Sequence, residues 1–136
     1  MKKLGFGCMR LPLSEKGKDD SVNKEYAAEM FDSFLSEGFT YFDTAYMYHK
    51  GNSEKVVGEK LVCNHEREKF LLATKMPVGM LKTKADTDKI FNDQKEKCRT
   101  EYFDYYLLHC LDKNNYKKAL RYGVFDYLQD KKEKGE

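Results

Sequence analysis

Phe39-Thr40-Tyr41-Phe42-Asp43-Thr44-Ala45-Tyr46-Met47-Tyr48 is the stretch whose reading decides the fold. It opens as a short run of aromatic and β-branched residues, the make-up of a buried strand, and an acid stops it. The pattern returns twice: Phe70-Leu71-Leu72-Ala73-Thr74 stops at Lys75, and Tyr105-Tyr106-Leu107-Leu108 stops at His109. Stretches of helical period separate these runs, so the chain reads as a βα repeat. In a parallel barrel of such units the carboxyl ends of all strands share the face that carries the chemistry. Asp43, Lys75 and His109, with Tyr48 in the loop five positions after Asp43, are therefore expected to meet in one pocket.

Upstream, Leu4 to Leu11 reads as a first strand, with Gly5 and Gly7 allowing close backbone approach. A polar loop, Ser14 to Asp20, leads to Asn23 as N-cap, with Val22 and Ala27 placed for a hydrophobic staple. Tyr26, Ala27, Met30, Phe31, Phe34 and Leu35 recur at intervals of three and four, and Gly38 closes that helix. The second strand is expected over Phe39 to Thr44. Ser53 is a candidate cap for the next helix, whose apolar face carries Val56, Val57 and Leu61. A third strand over Phe70 to Thr74 ends near Pro77, and a third helix over Asp86 to Cys98 buries Ile90, Phe91 and Cys98. Tyr102 to Leu108 is the fourth strand. Tyr116, Leu120, Val124, Phe125 and Leu128 mark one last helix, with Asn115 as its cap.

The fold class is thus α/β and TIM-barrel-like, with the first four βα units forming a half-barrel and residues 1–136 a single domain. A complete (β/α)8 barrel takes about 250 residues. With 25 basic and 23 acidic residues the formal charge is +2, which gives no reason to expect nucleic acid as a partner. No apolar run approaches the roughly 20 residues of a membrane span, and Arg10 interrupts the short apolar stretch after Met1-Lys2-Lys3. The expected location is cytoplasmic. Cys8, Cys63, Cys98 and Cys110 are scattered without a Cys-x-x-Cys pair, so no metal site and no disulfide framework are expected.

The polar set makes chemical sense without any relative. A free phenol titrates near about pH 10, and a neighbouring cation favours its ionised form, so Tyr48 beside Lys75 suits a proton donor. Lysine is rarely buried unpaired, and Asp43 offers the partner. Tyr46 reads as a packing residue, and His49 and His65 as solvated, with His49 close enough to line the pocket. Two decoys fail. Tyr46-x-x-x-Lys50 lacks the upstream glycine-rich turn of a dinucleotide fold, and Gly5-x-Gly7 has Arg10 where a third glycine belongs.

Asp43-Thr44-Ala45-Tyr46-Met47-Tyr48 with Gly51-Asn52-Ser53-Glu54 resembles the aldo-keto reductase signature after the second barrel strand. Ala73-Thr74-Lys75, Asp104-Tyr105-Tyr106-Leu107-Leu108-His109 and Leu4-Gly5-Phe6-Gly7-Cys8-Met9-Arg10-Leu11-Pro12 are similar to that family's third, fourth and first strand regions. Gly7-Cys8-Met9-Arg10 and Leu107-Leu108-His109-Cys110 have the flavour of a bacterial branch, some members of which append a ferredoxin-like segment. The resemblance implies NADP as cofactor and a small-molecule carbonyl, an aldehyde or ketone, as substrate. It implies Asp43, Tyr48, Lys75 and His109 as catalytic residues, with His109 orienting the carbonyl. It also implies Gly7, Cys8, Met9 and Asp43 as cofactor contacts. The other reading is a non-catalytic fragment or interaction module that keeps these motifs. A half-barrel also exposes two sheet edges and an inner face, to which alternation sends some of Phe42, Leu72, Tyr106 and Leu108, so a homodimer through that face is expected.

Overall fold

The computed structural model describes residues 3–136. Four parallel strands form one sheet in sequence order: β1 (Gly5–Gly7), β2 (Tyr41–Asp43), β3 (Leu71–Met76) and β4 (Tyr105–Leu108). Helices α1 (Lys24–Ser36), α2 (Asn52–Val57), α3 (Ala85–Cys98), α4 (Lys113–Arg121) and α5 (Val124–Glu133) connect or follow them. The βα repeat read from the sequence is the observed architecture, with shifted bounds. The first strand is shorter than expected because Cys8–Arg10 turns into a 3-10 segment. The third runs two residues further, through Lys75 and Met76, to the proline.

Alternation divides the sheet into two unlike faces. Phe6, Phe42 and Leu72 lie side by side in register, as do Thr74 and Tyr106, and Met76 and Leu108. This face meets the helices: Phe42, Leu72 and Met76 are wholly buried, and Phe31 of α1 packs edge-on against both Phe6 and Phe42. The opposite face carries Gly5, Gly7, Tyr41, Asp43, Ala73, Lys75, Tyr105 and Leu107. Phe42, Leu72, Tyr106 and Leu108, some of them expected on the inner face, all lie on the helical side, in the core or packed against it. Tyr105 and Leu107 are the apolar residues that the inner face exposes, at 49% and 41%.

The helix ends follow local chemistry. Asn23 caps α1 by accepting from the Tyr26 amide at 3.0 Å, as expected. The single last helix expected from the sequence is two, because Gly123 adopts a left-handed φ of 67° between α4 and α5. Asp112 rather than Asn115 caps α4, accepting from the amides of Asn114 and Asn115. Gly58 marks the tightest helix contact, since a Cβ there would lie 2.3 Å from the Lys97 carbonyl of α3. Among the described residues no helix is long and apolar enough to cross a membrane.

Candidate active site

Strand register puts Asp43 and Lys75 at neighbouring strand ends on the inner face. The Lys75 ammonium donates to Asp43 Oδ1 at 2.5 Å and to the Thr44 carbonyl at 2.7 Å, with 13% of its side chain exposed. The same Nζ lies 5.0 Å from the centre of the Tyr48 ring. His109 follows β4, its amide donating to the Met76 carbonyl at 2.9 Å, and its ring stands perpendicular to that of Tyr48 at 5.7 Å between centres. All four residues singled out in the sequence thus converge at the carboxyl end of the sheet.

Their electrostatics are uneven. Burial pushes His109 below the usual imidazole range, the Lys75 cation adds to this, and the Asp43 carboxylate opposes it. His109 Nδ1 is buried and meets no hydrogen-bond partner among the described residues. An orphaned nitrogen of this kind is costly unless something completes it.

The loop that carries Tyr48 is held under strain. His49 and Lys50, both non-glycine, have φ of 52° and 54°, and Gly51 follows at 89°. Each left-handed non-glycine residue costs roughly 1–2 kcal/mol, so this run persists only if its surroundings fix it. The His49 ring does much of that. It is 3% exposed, its Nε2 accepts from the Leu11 amide at 3.0 Å, and its Nδ1 donates to the Asp19 carbonyl at 2.7 Å. These partners require the neutral Nδ1–H tautomer. His49 is therefore a buried brace rather than a solvated residue. Ser53, expected as a cap, instead lies inside: its hydroxyl donates to the Cys8 carbonyl at 3.0 Å and meets Thr44 Oγ1 at 2.9 Å. Neither role had a sequence signal beyond a polar residue beside the motif. Tyr46 does pack, under the Lys97 ammonium at 4.0 Å.

The glycine turn beside the tetrad is open on one side and closed on the other. Gly7 pairs with Asp43 in register, and a Cβ built on it would meet nothing within 4 Å. Met9 is 54% exposed, whereas Cys8 is wholly buried and its thiol is pushed up by burial and by Asp43, against Lys75. A cavity of about 470 Å³ lies elsewhere, against Phe103, Phe125 and Leu128, and no residue of the tetrad lines it.

Comparison with known proteins bears on the same residues. The profile of the Aldo/keto reductase family matches residues 3–136. The chain belongs to the aldo/keto reductase family. Norsolorinic acid reductase B from Dothistroma septosporum is 30% identical over 122 residues, covering 80% of this chain and 31% of that protein. Among solved structures, the holo form of the aldo-keto reductase AKR11C1 from Bacillus halodurans is 26% identical, with a TM-score of 0.72 over 97% of this chain and 42% of its own. An aldo-keto reductase from Klebsiella pneumoniae, solved in complex with NADPH, is 25% identical, with a TM-score of 0.59 over 86% of this chain and 40% of its own. The chain thus spans less than half the length of each of these family members.

Proposed function

We propose that this chain carries the proton-transfer half of an NADP-dependent carbonyl reductase site, with an aldehyde or ketone as substrate. The observation that carries the reading is the convergence of Asp43, Lys75, Tyr48 and His109 at the carboxyl end of the sheet.

The residues present fit the cofactor. Open space over Gly7, the exposed Met9 and the partly exposed Asp43 carboxylate border the tetrad on the inner face. Gly7, Cys8 and Met9, with Asp43, would hold the nicotinamide end, Cys8 through its backbone because its thiol is buried. A bound reduced nicotinamide supplies the hydride that forms the new C–H bond at the carbonyl carbon. As the C=O π electrons move to oxygen, Tyr48 delivers its proton there and an alcohol results. Lys75 stabilises the phenolate that Tyr48 leaves, and Asp43 holds Lys75 in place. His109 fixes the carbonyl orientation.

The test is NADPH oxidation with a panel of aldehydes, for the parent and for Tyr48→Phe. Loss of turnover in the variant supports the assignment. Turnover equal in both, or no turnover in the parent, overturns it in favour of a binding module that keeps the motifs.

A second copy of the chain is the partner proposed for the inner face. Among the described residues β1 and β4 each pair on one side only, and Tyr105, Leu107 and Leu4 are exposed there or beside it. A twofold axis along the barrel direction would set β4 of each copy beside β1 of the other with every strand parallel. Sedimentation at micromolar concentration checks this: a dimer is expected, and a folded monomer contradicts it.

A further inference from the structure

On the helix side of the sheet, directly behind the tetrad, lies a polar group that the proposed reaction does not use. Glu54 of α2, Thr74 of β3 and Gln94 of α3 are each 0% exposed. Glu54 Oε1 accepts from Thr74 Oγ1 at 2.7 Å and from Gln94 Nε2 at 2.6 Å. The same Nε2 reaches Thr74 Oγ1 at 3.1 Å and the Lys75 carbonyl at 3.2 Å. The Tyr106 hydroxyl of β4 donates to Gln94 Oε1. Two helices and two strands are therefore joined around the Thr74–Lys75 peptide. Alternation sends Thr74 into this group and Lys75 out of the other side, towards Asp43 and Tyr48.

Glu54 is also linked to Tyr48 along the backbone. Glu54 lies in the first turn of α2, which begins where the left-handed run after Tyr48 ends. Its neighbour Ser53 ties that turn to the ends of β1 and β2. Glu54 ties it to β3 and α3. The position of Tyr48 over Lys75 thus depends on how α2 is held against β3.

We propose that Glu54, acting through Gln94 and Tyr106, is a positioning residue that sets Lys75 beneath Tyr48 from behind the sheet. The proposal rests on the reading of Tyr48 and Lys75 as the working pair. Only Oε1 does this work, as an acceptor; Oε2 is buried and meets no hydrogen-bond partner among the described residues. Burial is the main influence on the carboxyl and pushes it above the usual range, against the hydrogen bonds from Thr74 and Gln94; nearby on α3, Lys97 favours the anion and Asp93 opposes it. An amide oxygen can accept the same two hydrogen bonds, so Glu54→Gln keeps the positioning contact, at the cost of an unpaired buried Nε2.

His109 reports on the arrangement, because the Lys75 charge is one cause of its lowered titration. The experiment is an NMR titration of His109 in the full chain for the parent, Glu54→Gln, Glu54→Met and Tyr106→Phe. Arg67→Met is the control, since it breaks a dense network at the other end of the same strands. Glu54→Met and Tyr106→Phe should raise the His109 midpoint as Lys75 leaves its fixed place. Glu54→Gln should keep the parental midpoint, and Arg67→Met should lower the melting temperature while also keeping it. A midpoint unchanged in folded Glu54→Met, or raised as far in Arg67→Met, overturns the proposal. Should Glu54→Met not fold, Tyr106→Phe, which loses a single oxygen, decides by the same criteria. No turnover is measured, so a failed reductase assay and a failed titration are told apart.

Discussion

The sheet has an ion pair at each end, and the two are built differently. At the amino end the Arg67 guanidinium donates to Thr100 Oγ1, to the carbonyls of Phe70 and Tyr102, and to Asp104 Oδ2 at 2.6 Å. It also lies over the Tyr102 ring at 4.0 Å, and Asp104 takes the Leu72 amide as well. Most of its polar capacity is used within the chain. At the carboxyl end the Lys75–Asp43 pair is as close, yet the His109 nitrogen beside it is unmet and the adjoining loop is strained. A saturated pair locks two strands together. The other pair stands beside an unmet nitrogen and a strained loop, which the proposed site would put to use.

That contrast can be broken or sharpened by substitution. The largest effect is expected for Tyr48→Phe, which should lower carbonyl turnover by about 10²–10⁴-fold, the range of a lost general acid. Its urea midpoint should stay near the parent's. Arg67→Met should do the reverse. Breaking a largely buried pair costs about 3 kcal/mol, read by urea denaturation, while NADPH affinity should hold. His109 gives a smaller, pH-dependent effect. Its folded titration is depressed, so its contribution to stability is complete above the unfolded value of about 6.5 and is lost as pH falls through the depressed midpoint. Thermal melts of His109→Asn should show a shallower loss over that window. Glu54 should behave in the opposite sense. Its carboxyl is raised, so its contribution is complete below about pH 4.3 and is lost as pH rises through the folded value. Glu54→Gln should therefore gain on the parent as pH rises towards neutrality.

The sequence disclosed the strands, and with them the tetrad, because a buried run that stops at a charge is a local pattern. Asp43, Lys75 and His109 needed only the barrel rule to be placed together. It did not disclose which face each strand turns to the helices. Phe42 and Tyr41 are both apolar enough for either side, and only packing against Phe31 and Phe6 decides between them. The break at Gly123 was hidden because the apolar positions of α4 and α5 keep one helical phase across it. The supports were the least legible. His49, Ser53 and Gln94 act through partners 9 to 45 positions away, and no periodicity marks such a pairing.

The most direct test of the account is a two-dimensional NMR titration of the chain with NADPH. Shifts concentrated at Gly7, Asp43, Lys75 and His109, with Arg67 and Asp104 unmoved, are the predicted result. Shifts centred on Arg67 and Asp104, or none at millimolar NADPH, would contradict it.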